Sequence, residues 1–136
     1  MTKKQAGACG CNAVHYNITG PVRAVVNCHC NSCKKINGTP FSTYCVVSQD
    51  DLELVEGKEL VKTYELANGA KKQICSNCGS PLFNAHDRYP GMYMVYYGSL
   101  SDYLSVVPSF NIYCENKLPW VDDISVIKSF EQAVER

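Results

Sequence analysis

An excess of charge of either sign is missing from this sequence: 13 lysines and arginines meet 13 aspartates and glutamates, for a formal net charge of zero. With no positive excess and no stripe of basic and aromatic residues, nucleic acid is not an expected partner, and neither is an anionic membrane surface. Long apolar runs are missing as well. None approaches the roughly 20 residues that cross a bilayer, and the opening "MTKKQAGACGC" has no hydrophobic segment of the kind an export signal carries. The expectation is a cytoplasmic protein in a reducing compartment. Low-complexity stretches, repeats and linkers are absent, so residues 1–136 are expected to form one domain. Helical periodicity is scarce too. Only the tail "DDISVIKSFEQAVER" offers it, with Asp123 or Ser125 as a cap and Ile127, Phe130 and Val134 as an apolar stripe over which Trp120 would be core.

What the chain does have is strand-forming sequence. Turn signals such as "ITGP", "INGTP", "SQDD", "VEGKE", "ANGA" and "RYPG" recur, and short runs rich in Val, Ile, Tyr and Phe lie between them. "AVHYNI", "RAVVN", "FSTYCVV", "LVKTYEL", "KKQIC", "PLFNA", "MYMVYYG" and "SFNIYC" read as strands, because side chains that branch or thicken near the backbone suit a pleated surface. The class is mostly β, with several small twisted antiparallel sheets and a short C-terminal helix. Short strands of this kind fill a core poorly, and metal would supplement it. Unpaired sheet edges would also allow a homodimer.

Nine cysteines stand out in such a chain. Secreted disulfide scaffolds pair an export signal with an even count. Seven of the nine fall into short clusters: Cys9 and Cys11 in "ACGC", Cys28, Cys30 and Cys33 in "NCHCNSC", and Cys75 and Cys78 in "CSNC". These spacings suit ligand pairs on a common metal. Residues i and i+2 of a strand face the same way, so Cys9 can meet Cys11 and Cys28 can meet Cys30, while His29 faces away. After Cys30 the chain must turn at Asn31 and Ser32 to bring in Cys33. Gly79, directly after Cys78, allows the left-handed backbone of a tight metal-binding turn.

A structural zinc site wants four protein ligands, and a catalytic one keeps a position open. Seven is four plus three. The simplest partition joins Cys9, Cys11, Cys75 and Cys78 in a closed site and leaves Cys28, Cys30 and Cys33 as an open one. Other partitions remain. The triple could recruit Cys45, Cys114, His15, His29 or His86, or it could pair with Cys75 and Cys78. Cys45 and Cys114 sit in apolar strands and read as small buried hydrophobes.

The ordered series "GACGCNAVHY", "VVNCHCNSCKKINGTPFS", "ICSNCGSPLF" and the later "YYGSL" resembles the glutathione-dependent formaldehyde-activating family, grouped with centromere protein V-like domains, from about Gly7 to Trp120. The resemblance implies an Mss4-like, or β-tent, zinc domain. It implies a structural zinc on Cys9, Cys11, Cys75 and Cys78 and a catalytic zinc on Cys28, Cys30 and Cys33. It also implies carbon–sulfur lyase chemistry on S-hydroxymethylglutathione, with glutathione or a related small thiol as partner. The family's pattern is broken at two positions: Asn12 stands where a glycine is usual after the first CxC, and Asn111 where a histidine is frequent. Asparagine tolerates a left-handed φ, so the turn at residue 12 can survive.

Three thiolates leave a metal suited to a soft fourth ligand, such as a substrate thiol. Ser32 and the amides near Lys34 are candidate donors to the sulfurs, and Lys34, Lys35 and Arg88 are candidate partners for substrate carboxylates. His86 is a candidate proton carrier, with Asp87 beside it. Tyr93, Tyr96 and Tyr97 read as sheet packing. The competing reading is a zinc-stabilised binding module without turnover; an iron-based electron carrier on the same sulfurs is a further one.

Overall fold

The computed structural model describes residues 4–134. Ten strands form two sheets: β1 (Gln5–Ala8), β2 (His15–Ile18), β3 (Ala24–Cys28), β4 (Ser42–Ser48), β5 (Leu52–Glu56), β6 (Val61–Glu65), β7 (Ala70–Cys75), β8 (Pro81–His86), β9 (Met92–Tyr96) and β10 (Phe110–Ile112). The smaller sheet runs β1-β2-β5, and the larger runs β10-β3-β4-β9-β8-β7-β6. The mostly β expectation holds, with two sheets in place of several. One pairing departs from the antiparallel rule, because β10 lies parallel to β3.

The middle of the larger sheet packs on both faces, and alternation along β3 and β4 shows how. Val25, Cys45 and Val47 join Tyr16, Ile18, Leu82, Phe83 and Val95 in the main core, against the smaller sheet. Val26, Cys28, Tyr44 and Tyr96 point the other way into a second cluster that also takes in Cys30, Cys33 and Tyr113. Burying side chains such as Ile18, Leu82 and Phe83, each 1% exposed or less, contributes about 1.5–3 kcal/mol apiece relative to exposure. The two sheets are tied where Ser101 N–H donates to Ala6 C=O at 2.8 Å.

All eight expected strands are present. Two more, β1 and β5, come from segments that carry no clear strand signal. β5 is enclosed by turn sequences that are real turns, the 3-10 helices Gln49–Asp51 and Lys58–Leu60. Its residues Leu52 and Leu54 still reach the core. One helix went unforeseen: α1 (Asn31–Asn37) begins directly after Cys30.

The tail carries the expected short helix, but in a different form and over a different span. Its helical part is a 3-10 helix, Pro119–Val126, with no buried residue, and the chain beyond it to residue 134 is not helical. Ile127, Phe130 and Val134 are 54%, 37% and 72% exposed, so the apolar stripe is not buried, and Trp120 at 45% is not core. A short helix without a surface to pack on is marginal in water. Residues 135–136 of the expected helix lie outside those described. Cys114 also differs from its reading. β10 ends at Ile112, Tyr113 takes a left-handed φ of 57°, and Cys114 is left exposed in a 3-10 turn. Cys45 is fully buried, as expected.

Candidate metal centres

The clustered cysteines come together as two groups, Cys9, Cys11, Cys75 and Cys78 in one and Cys28, Cys30 and Cys33 in the other, each with its sulfurs within 4.8 Å of one another. All nine cysteines are free. Four sulfurs about 2.3 Å from a common ion stand about 3.8 Å apart on the edges of a tetrahedron. The Cys9–Cys11 and Cys11–Cys75 separations are 3.5 and 3.9 Å, and Cys28–Cys33 is 3.5 Å. Both groups therefore have the spacing and the donor type to hold a metal ion.

The four-cysteine group is built from two turns. β1 stops at Ala8, so a turn, not strand alternation, pairs Cys9 with Cys11: Cys9 N–H donates to Val14 C=O and Asn12 N–H to Cys9 C=O, both at 3.1 Å. Asn12 takes a left-handed φ of 63°, the geometry that the usual glycine would serve. On the other side Gly79 has φ 78°, and its N–H donates to Cys75 C=O at 2.8 Å. Donors aim at the sulfurs. Val14 N–H reaches Cys9 Sγ at 3.3 Å and Asn77 Nδ2 reaches Cys11 Sγ at 3.2 Å. Ser80 Oγ accepts from Gly10 N–H at 2.9 Å, which leaves its proton for Cys78 Sγ at 3.1 Å. The Ser80 hydrogen bond lowers the Cys78 thiol to about 5. Burial pushes Cys75 up to about 11. Burial also pushes on Cys9, but the Val14 contact and the neighbouring thiols outweigh it and hold Cys9 below its ordinary value.

The three-cysteine group sits where β3 runs into α1. Cys28 ends the strand, and Cys30 is the N-cap of the helix in an extended conformation, its Sγ accepting the Cys33 N–H at 3.2 Å. The expected turn at Asn31 and Ser32 is thus the first turn of α1, which carries Cys33 back to Cys28. The hydrogen bond between these two sulfurs lowers Cys28 and raises Cys33 far above the usual thiol range. Cys30 is raised by burial. Among the described residues no histidine, carboxylate or further cysteine joins this group.

The alternative ligands are accounted for elsewhere. His29 is 1% exposed on the opposite face of the sheet, against the Phe41 ring at 5.0 Å, with Nε2 at 3.4 Å from Asn111 Oδ1. Asn111 also accepts from Asn27 Nδ2 at 3.1 Å, so this unusual asparagine belongs to that far face and not to the sulfurs. His15 contacts Asn12 C=O, and His86 Nδ1 accepts the Arg88 amide. Ser32 Oγ accepts from Asn68 Nδ2 at 2.8 Å. Lys34 donates to Asn31 Oδ1 and Asn116 C=O, and Lys35 is exposed. Arg88 Nη1 donates to Tyr113 Oη at 2.6 Å, and Tyr113 packs on the cluster that contains Cys30 and Cys33. Of the three tyrosines, Tyr93 packs on Phe83 and Tyr96 on Tyr44, as sheet packing requires.

Reading the sequence missed the polar residues behind the triple: Tyr44, Asn37 and Asn84. A signal did exist for the first. In the β3–β4 register Cys28 faces Ser42 and Val26 faces Tyr44, so period-two alternation already places Tyr44 on the cysteine face. Burial holds the Tyr44 proton on, well above the ordinary tyrosine range.

The family whose sequence profile matches this chain is described as glutathione-dependent formaldehyde-activating enzyme, and the match covers residues 4–116. The chain belongs to that family. All seven clustered cysteines of this formaldehyde-activating family member lie inside the matched span, and the exposed tail lies beyond it. An uncharacterized lyase of Schizosaccharomyces pombe is 26% identical over 89 residues; the match takes in 65% of this chain and 63% of the yeast protein's length. The crystal structure of a Rhodobacter sphaeroides protein superposes with a TM-score of 0.60 at 23% identity, over 77% of this chain and 98% of that one, which supports the fold. Among the described residues no helix is long and apolar enough to cross a membrane.

Proposed function

We propose that this family member is a zinc-dependent carbon–sulfur lyase acting on a small thiol adduct such as S-hydroxymethylglutathione. The observation that carries the reading is the inequality of the two cysteine groups: one supplies four sulfurs, the other three with no further protein ligand among the described residues. In this reading Cys9, Cys11, Cys75 and Cys78 hold a structural zinc, and Cys28, Cys30 and Cys33 hold a catalytic one. Zinc held by Cys28, Cys30 and Cys33 would supply a soft, electron-accepting position that stabilises the negative charge a substrate sulfur gains as its bond to carbon breaks. Cleavage of the adduct breaks the C–S bond with its electron pair kept by sulfur, while the hydroxyl proton passes to water and the carbon leaves as formaldehyde.

The chain's own residues define the approach. The rigid junction of β3 and α1 fixes the three sulfurs, because the same Cys30 side chain that faces the group also caps the helix. Tyr113 walls one side of the cluster and carries Arg88 at its hydroxyl. Among the described residues Arg88 makes no salt bridge, and a guanidinium has five donors in a planar fork, which suits a carboxylate on the non-reacting end of a peptide-like thiol.

The test combines metal stoichiometry with thiol titration. The protein is expected to hold two zinc equivalents, one of which accepts glutathione sulfur. Arg88→Gln is expected to weaken binding of glutathione about tenfold, the scale of one charge-assisted hydrogen bond, while leaving a small uncharged thiol unaffected. Two zincs that both ignore added thiols would support the non-catalytic binding module instead.

A further inference from the structure

We propose that Tyr44 is a positioning residue for the three-cysteine centre: its hydroxyl donates to Cys33 Sγ and sets how strongly that sulfur gives electrons to a bound ion. The proposal rests on the two-centre reading above. Tyr44 is 4% exposed on the interior strand β4, opposite Val26 on one side and Tyr96 on the other. Its ring meets the Tyr96 ring edge-on, with centroids 5.1 Å apart. Three groups converge on its oxygen: Cys33 Sγ at 3.4 Å, Asn37 Nδ2 at 3.1 Å and Asn84 Nδ2 at 3.5 Å.

The direction of each bond follows from what each partner can do. A metal-ligating Cys33 is a thiolate with lone pairs and no proton, so its contact with Tyr44 is attractive only if the phenol donates. The two side-chain amides then donate to the phenol oxygen, the orientation they hold. Asn37 is locked in that sense from behind, because its Oδ1 accepts from Tyr96 Oη at 2.7 Å and its Nδ2 also reaches Ser42 Oγ at 2.8 Å. Cys33 and Asn37 lie four residues apart on α1, so one helical face delivers both to Tyr44. The donation withdraws charge from one particular sulfur. Cys30 receives a backbone amide from Cys33 instead. Cys33 is thereby a weaker donor than it would be without the phenol, and an ion on the triple is left more accepting towards an incoming sulfur.

Cobalt(II) replacing zinc reports this directly through its sulfur-to-metal charge-transfer band. Tyr44→Phe keeps the ring and removes the donor. The band is expected to move to longer wavelength and the affinity for added glutathione to fall about tenfold, with two metal equivalents retained. Tyr96→Phe breaks the same network one bond further away without touching sulfur, and is expected to leave the band in place. Asn37→Asp offers the phenol proton a carboxylate and is expected to shift the band as Tyr44→Phe does, which keeps the test decisive if Tyr44→Phe does not fold. A band and thiol affinity unchanged in Tyr44→Phe and Asn37→Asp overturn the proposal, and so does a Tyr96→Phe band that moves as far. A wild-type protein that holds one metal equivalent overturns the two-centre reading itself.

Discussion

Cys78→Ser is expected to cost the protein one metal equivalent and its cooperative fold. The position makes the result easy to interpret. Cys78 is exposed and Cys75, three residues before it, is fully buried. Removing the Cys78 sulfur therefore empties no core volume, and the loss of stability measures the metal. An ion on the four sulfurs would join the turn after β1 to the turn after β7, closing a loop of 64 residues between Cys11 and Cys75. Releasing a closed loop of that length costs about 4 kcal/mol by chain entropy. A change of that size lowers the thermal midpoint of a domain this small by roughly 10 °C or more. A strong chelator should reproduce the loss in the unmodified protein. Cys114→Ser, at an exposed cysteine outside both groups, should change neither metal content nor midpoint. A Cys78→Ser protein that keeps both zincs and its midpoint would show that the four sulfurs do not staple the fold.

The cysteine groups were legible because metal ligation imposes local spacing: a CxC, a CxCxxC and a CxxCG each place thiols within one turn or strand end. How they divide was legible only as arithmetic, since nothing local says which pair meets which across 64 residues. The backbone beneath them was less legible. Asn31 and Ser32 look like turn residues, yet they open α1, whose stability comes from its cap at Cys30 and from the docking of Asn37 on Tyr44 and Tyr96. β5 hid between two true turns, and its strand character derives from pairing with β2. In the tail the reverse occurred. A helical pattern of apolar residues was present, but a pattern is a statement about a face, and no surface of the described domain covers this one.

Cys30→Ser is expected to separate the two centres in the opposite way: turnover and glutathione binding lost, one zinc lost, the fold kept. The argument is that Cys30 does two jobs of unlike chemistry. Its sulfur belongs to the triple, and the same atom caps α1 by accepting the Cys33 amide at 3.2 Å. Serine is among the best N-cap residues, and its oxygen can take over that bond. The helix should therefore survive. The oxygen is a poor substitute for a thiolate on a soft site, and two sulfurs, Cys28 and Cys33, hold a metal far less well than three. The four-cysteine group shares no residue with this one and should keep its ion. The expected record is one zinc equivalent, a thermal midpoint within a few degrees of the parent protein, and no lyase activity against S-hydroxymethylglutathione. Cys30→Ala sharpens the comparison, since alanine cannot cap and should lose about 1 kcal/mol more than serine at equal metal content. If Cys30→Ser instead loses as much cooperative stability as Cys78→Ser, the triple is part of the scaffold, and the division between a structural and a reactive centre does not hold.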